Sequence, residues 1–410
     1  MTVETQELAA DLGGELDRLS AAVTALAEIN SGSFNPEGVN RVGHRLAQYV
    51  DDLSPTSIET IPVDPAATID AGASIVKRPV GDALRAVKRP EAPFRVCLFG
   101  HLDTVFGPDD PFQEVTADGA RLAGPGVADC KGGLIIALEV LRYLETVPWG
   151  ADIGWEFLVV PDEEIGSLGS KGLLAEAAQK ADIGLGFEPA LPSGGVAAAR
   201  KGALTGHVVV RGVASHVGRA HDQGRSAILG LANLITTLEA HNSRDGVTVN
   251  CGKIQGGGAL NVVPDLAIGS FNMRVETDGD QRWIQDRFAE AADASPLDTE
   301  VVWASTRPPK SLTPAIDRLL ADTSDAARGL GIEITPENTG GCCDGNDLAG
   351  FGLANVDSLG ILGGGIHSPH EFADVASIPP RAATVAEVLR RAAERATASP
   401  SADARETDKR

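Results

Sequence analysis

The 410-residue sequence predicts an α/β protein, with a mixed, mostly parallel sheet flanked by helices and interrupted by an inserted βαββαβ unit. Three observations carry this. From Arg95 onward, apolar runs that read as buried strands alternate with helical stripes, the pattern of a sheet covered on both faces. Near residue 201 the order becomes strand, helix, strand, strand, helix, strand, a split-βαβ plan. After about residue 306 the helix-on-sheet style resumes, so the second unit interrupts the first. The expected division is 1–200 with 307–396 as one domain, 201–306 as the insert, and 397–410 as a disordered tail.

Taken in order, Leu16, Leu19, Val23, Leu26 and Ile29 form one helical stripe that stops at "NSGSFNPEG". A second helix follows Pro36, with Val39, Val42, Leu46 and Val50 inward, and "SIETIPV" reads as a strand. Segment 64–93 shows no sustained period and reads as an irregular surface excursion. Then come strand "RVCLFG", helix "GGLIIALEVLRYL", strand "GWEFLVV", helix "LLAEAAQKA" and strand "DIGLGFE". The insert supplies "ALTGHVVVRG", helix "GRSAILGLANLITTLEAH", "GVTVNCGKI", "LAIGSFNMRVE", helix "DQRWIQDRFAEAA" and "TEVVWAS", a ferredoxin-like order. "PAIDRLLADTSDAARGL" and a long helix from Ile378 complete the main unit.

A formal net charge of -22 argues against nucleic-acid binding, which requires a basic face. No apolar run reaches membrane-spanning length, and the acidic start lacks a secretory pattern, so a cytoplasmic protein with no membrane partner is expected. The cysteines, Cys97, Cys130, Cys251, Cys342 and Cys343, lack zinc-ribbon spacing and read as reduced thiols. Cys342 and Cys343 are expected in a tight loop.

The polar residues at the strand ends are the functional signal. "RVCLFG" ends in "HLDTV", where His101 and Asp103 project to one face and Leu102 to the other. A metal-bound histidine commonly donates its second ring N–H to a carboxylate, which makes Asp103 a natural orienting partner. Asp129 precedes a glycine pair that opens a helix; Asp162, Glu163 and Glu164 follow one buried strand and Glu188 another; His367 and His370 lie in a glycine-rich loop. Singly, each has a plainer explanation as a polar strand end, a helix cap or a surface histidine. Together they would crowd several carboxylates at one sheet edge, which is strongly repulsive unless cations are present. Two divalent ions, about 3.5 to 4 Å apart in hydrolytic sites, remove that objection, and imidazole with carboxylate suits zinc. One of Glu163 and Glu164 can then be a ligand and the other a base.

"HLDTV", "GPGVADCKGG", "DEEIGS", "FEPA" and "IHS", with the βαββαβ insert between them, resemble the dizinc exopeptidases and amidases. That family includes glutamate carboxypeptidases, aminoacylases, acetylornithine deacetylase and succinyl-diaminopimelate desuccinylase. The likeness runs from about residue 15 to 395 and is closest to bacterial glutamate carboxypeptidases. It implies a zinc-exopeptidase fold with His101, Asp129 and Glu188 on one metal, Asp129, Glu164 and His367 on the other, and Asp129 bridging. Zinc is the expected metal, with cobalt or manganese as alternatives. Asp103 would orient His101, Glu163 would be the general base, and the Asp129–Cys130 peptide would be cis. The insert would be a dimerisation or lid domain whose His216, in "ASHVG", reaches the site of the other subunit of a homodimer. Arg274 resembles the residue that grips the substrate carboxylate; Asn261, in "GGGALNVVP", and Gly341, in "TGGCCDGND", are further substrate-binding candidates.

Two departures bear on the substrate. Many relatives carry Thr-Asp or Ser-Asp after the late glycine pair where this chain has Cys342 and Cys343 before Asp344, and segment 64–93 is longer than the corresponding hairpin. The expected activity is hydrolysis of an amide or peptide bond beside a free carboxylate, in an N-acyl amino acid or short peptide. An aminoacylase or deacetylase is the alternative within that chemistry. A non-catalytic binding homologue is the alternative outside it, and the presence of Glu163 argues against it.

Overall fold

A computed structural model describes residues 2–398. Its central sheet has six strands in the order Ser57–Ile61, Ala83–Lys88, Ile153–Val160, Phe94–His101, Ile183–Gly186, Asn355–Val356. The last four are mutually parallel, and the first two add antiparallel. Every residue of Ile153–Val160 is buried, as expected of a strand covered on both faces. Side chains alternate between two cores. Leu98 joins Leu134, Leu319 and Leu389 from the helices Gly133–Leu144, Pro314–Gly329 and Ile378–Ala398, whereas Phe99 joins Leu158, Leu174 and Leu348 on the opposite side. The helix Pro36–Asp51 starts where Pro36 follows Asn35, whose side chain accepts the Gly38 N–H, and it buries Val39, Val42, Leu46 and Val50.

The insert has its own antiparallel sheet, ordered Val247–Gly256, Leu266–Val275, Gly202–Arg211, Asp298–Arg307. The helices Ala227–Glu239 and Asp278–Asp293 cover one face, enclosing Leu204, Val208, Leu231, Phe271 and Phe288 in a separate core. Alternation then puts Thr205, His207, Asn272 and Arg274 on the other, uncovered face.

Segment 64–93 is not irregular. It forms a hairpin, Ala66–Ile69 with Ile75–Arg78, and then the central-sheet strand Ala83–Lys88. These strands have four to six residues, and Ile75–Arg78 is wholly exposed, so little hydrophobic alternation marks them. The acidic start, to which the sequence assigns no element, is a helix, Val3–Gly13. The final helix runs to Ala398 and so takes in residues 397 and 398 of the expected tail, while residues 399–410 lie outside the described residues.

Candidate metal centre

The polar strand ends converge at the carboxyl edge of the central sheet. His101 is the last residue of Phe94–His101, and its Nδ1–H donates to the Asp103 carbonyl at 2.9 Å. Its Nε2 is turned to Asp129 Oδ1 at 3.1 Å, with Glu188 Oε1 at 3.9 Å. Asp129 Oδ2 faces His367 Nε2 at 3.2 Å, and the same nitrogen lies 3.1 Å from Glu164 Oε2. The two oxygens of Asp129 therefore address two histidines, each with a second carboxylate beside it.

Local structure explains this convergence. The helix Gly133–Leu144 approaches the Phe187 backbone so closely that a Cβ on Gly133 would stand 1.9 Å from the Phe187 carbonyl, which keeps Asp129 beside Glu188. The Asp129–Cys130 peptide is cis. Glu371 holds the Asp129 loop by accepting the N–H groups of Gly126, Ala128 and Asp129 at 2.9 to 3.1 Å. The small sheet of Leu362–Gly364, Phe372–Asp374, Arg121–Ala123 and Thr116–Asp118 brings the His367 loop to the same place. His367 itself has φ 59°, a left-handed conformation costly for a non-glycine residue and typical of functional positions.

The donor set fits divalent metal. In a tetrahedral zinc site with bonds of about 2.0 Å, neighbouring ligand atoms stand about 3.3 Å apart. His101, Asp129 and Glu164 offer ligand atoms within 4.8 Å of one another, and Glu188 Oε1 is buried without a hydrogen-bond partner. Burial pushes Glu188 up to about 8, and hydrogen bonds to Asp129 and Glu164 raise His367 to about 11. The protein groups alone would thus retain extra protons here, the expected behaviour of a carboxylate cluster that lacks a cation.

Asp103 braces the centre. Its carboxylate accepts from Ser33 Oγ at 2.7 Å and from the N–H groups of Glu163 and Glu164 at 3.1 and 3.3 Å, and it lies 3.4 Å from His101 Nδ1. The carbonyl is thus the nearer partner of His101, and the carboxylate organises the Glu163–Glu164 turn. Glu163 Oε1 turns away from the histidines to Arg307, at 3.1 Å, and burial drives its carboxyl well above the usual range against the opposing pull of that arginine.

Of the remaining candidates, Arg274 and Gly341 line a cleft of about 670 Å³ together with Glu163, Glu164 and His367. His216 and Asn261 do not line it. They meet at the far end of the insert, where the Val217 N–H donates to the Asn261 carbonyl at 3.0 Å. Arg307, Ser33 and Glu371 received no role from the sequence. Glu371 stands four residues after His367 and opens "EFADVASIP", but nothing in its spacing reveals which N–H groups it accepts. All five cysteines are free thiols, with Cys343 buried at the start of the helix Asp344–Gly350.

Gly341 is fixed by a buried ion network. Arg200 donates to the Gly341 carbonyl at 3.2 Å and to Asp357 at 2.8 Å, while Lys310 donates to the other Asp357 oxygen at 2.6 Å. Asp357→Asn should destabilise the fold by about 3 to 5 kcal/mol, because it leaves buried cations without their counter-ion. The urea midpoint measures this, and an unchanged midpoint would refute it.

Residues 97–391 match the profile of peptidase family M20/M25/M40. The chain belongs to that family. It is accordingly a metal-dependent hydrolase, and the cluster above is its possible metal-binding site. Carboxypeptidase G2 of Pseudomonas sp. (strain RS-16) is 28% identical over 382 residues, covering 89% of this chain and 86% of that protein. Succinyl-diaminopimelate desuccinylase of Stutzerimonas stutzeri is 31% identical over 311 residues, 70% of this chain and 79% of that one. The M20 metallo-carboxypeptidase Sso-CP2 of Sulfolobus solfataricus superposes with a TM-score of 0.72 at 16% identity, covering 91% of this chain and 98% of that one. That likeness confirms the α/β fold with its inserted antiparallel unit. Among the described residues no helix is long and apolar enough to cross a membrane.

Proposed function

We propose that this M20 enzyme hydrolyses an amide or peptide bond next to a free carboxylate, as a glutamate carboxypeptidase does, with two divalent ions, expected to be zinc, in the centre. His101, Asp129 and Glu188 would hold one ion and Asp129, Glu164 and His367 the other. The observation that carries this is the division of the two Asp129 oxygens between His101 and His367, at 3.1 and 3.2 Å. When bound, such a metal pair lowers the pKa of water towards neutrality and polarises the scissile carbonyl.

The protein's own groups do the rest. Glu163, which is not engaged by either histidine, takes a proton from the attacking water. The resulting hydroxide adds to the carbonyl carbon. Glu163 then delivers the proton to the amine nitrogen as the C–N bond breaks. Arg274, on the uncovered face of the insert, grips the substrate carboxylate through its planar fork. Cobalt or manganese can replace zinc in this scheme, and an aminoacylase differs from it only in which side of the bond is recognised.

The insert, residues 201–306, serves in this reading as a dimerisation and lid domain. Support comes from exposed apolar side chains on it, Val217 (43% exposed), Leu229 (63%), Ile254 (60%) and Leu260 (101%), which suit contact with a second copy. His216 directly precedes Val217, and its Nδ1 accepts the Gly218 N–H at 3.1 Å, which leaves Nε2–H free to donate. The partner subunit's His216 would donate a hydrogen bond through that N–H to the oxyanion of the tetrahedral intermediate, with Asn261 beside it.

Substrate recognition is tested at Arg274. Arg274→Ala should lower kcat/KM on N-acyl amino acids by about 30-fold or more, as expected when one partner of a buried charged hydrogen bond is removed at about 2 to 5 kcal/mol. The corresponding amides, already poor substrates, should change little. Equal losses on acids and amides would show that Arg274 does not bind the carboxylate.

A further inference from the structure

The cleft beside the metal centre has two unlike walls. On the insert side stand the polar Thr205, His207, Asn272 and Arg274, with the small Ala203, Ala304 and Ser305. The segment from Glu163 to Leu168 makes the floor, tied to the insert by the Arg307 contact with Glu163. Facing the insert, Phe34 and the hairpin strand Ala66–Ile69 form the other wall, which Ile165 and Leu168 extend. Every charged side chain lining the cleft belongs to the floor, the insert or the His367 loop, or is Arg307 between floor and insert; the Phe34 wall carries none. Its hydroxyl is also used, since Thr68 Oγ1 donates to the Val76 carbonyl within the hairpin.

This wall is held in place. Phe34 follows Ser33, which is bonded to Asp103, so the ring is anchored to the turn that carries Glu163 and Glu164. The Arg78 guanidinium lies 3.5 Å from the Phe34 ring centroid and ties the hairpin to the ring, while Arg78 itself is exposed. At the base of the hairpin the Asp64 carbonyl is so close to Gly169 that a Cβ there would stand 2.4 Å away.

We propose that Phe34 and the hairpin Ala66–Arg78 select the group on the acyl side of the scissile bond, and that they favour a bulky, apolar, uncharged acyl chain. The inference rests on the reading of Arg274 as the carboxylate's partner, which assigns the amino-acid side of the substrate to the insert and leaves the opposite wall to the acyl group. A terminal carboxylate or a free ammonium on that group would be taken out of water against Phe34, Ile69, Ile165 and Leu168, where no charged side chain lines the wall; Arg78 lies on the Phe34 ring but does not itself line the cleft. An aliphatic chain would be buried favourably by the same surface. N-acyl amino acids with apolar acyl chains are therefore the preferred class, ahead of succinylated amino acids and of dipeptides with a free amino terminus.

Three acyl groups of equal length test this on the metallated full-length enzyme: hexanoyl, adipoyl, which ends in a carboxylate, and 6-aminohexanoyl, which ends in an ammonium. All are carried on the amino acid released fastest from its N-acetyl derivative. The hexanoyl compound should exceed the other two in kcat/KM by about tenfold or more, a ratio within reach of a hydrophobic pocket. Phe34→Ala and, separately, Ile69→Asn should each narrow that ratio. A wild-type preference for the adipoyl or aminohexanoyl compound, or a ratio unaltered in both variants, would overturn the proposal. The primary amide of the hexanoyl substrate serves as the control. Equal rates on acid and amide would instead overturn the reading of Arg274, and with it the assignment of the walls. A metallated wild-type enzyme that turns over no N-acyl amino acid would overturn both.

Discussion

Asp129→Ala is expected to lose both metal ions and all measurable hydrolysis. Its oxygens are divided between the two histidines, 3.1 Å from His101 and 3.2 Å from His367, so a single truncation opens both halves of the centre. It also leaves Glu164 and Glu188 near each other without the shared ligand, and burial already makes Glu188 a reluctant anion. Loss of an outer hydrogen-bond partner of a metal ligand costs about 10- to 100-fold in affinity, and loss of a ligand common to two ions should cost more. Metal analysis of dialysed protein, with circular dichroism to confirm the fold, decides the matter. A folded Asp129→Ala protein retaining two ions per subunit would refute the bridging role.

Three of the expected ligands, His101, Glu164 and Glu188, are legible because each terminates or follows an apolar strand, and strand ends of a parallel sheet meet at one edge, whereas Asp129 and His367 lie in loops. His101 after "RVCLFG" and Glu164 after "GWEFLVV" are such cases, on strands that prove to be neighbours. What was not legible depends on contacts between distant segments. Arg307 is a single arginine at the end of a strand, and nothing in its surroundings announces Glu163, 144 residues earlier, as its partner. Glu371 acts by accepting main-chain N–H groups, which any sequence supplies. The hairpin Ala66–Arg78 was read as irregular because half of it lies in solvent and needs no hydrophobic period. That hairpin nevertheless lines a wall of the cleft, in keeping with segment 64–93 being one of the two places where the sequence departs from the family pattern.

Glu163→Gln should retain both metals yet lower kcat by about 10²- to 10⁴-fold, the usual contribution of a general base. Glutamine keeps the shape of the side chain and its contact with Arg307, at 3.1 Å, while removing the ability to accept a proton. A variant with near-normal turnover would show that another group is the base. The same variant tests the role of the insert. In a two-fold dimer where the partner subunit's His216 completes each site, mixing Glu163→Gln with His216→Ala subunits creates heterodimers in which one of two sites has both wild-type groups. That site should restore up to about half the wild-type activity per heterodimer, since symmetry makes the two sites equivalent. Neither parent contains such a site, so recovered turnover cannot come from residual homodimers. Absence of recovery despite demonstrated subunit exchange would mean that His216 acts within its own chain or not at all, and the exposed Leu229 and Ile254 would then need a different explanation.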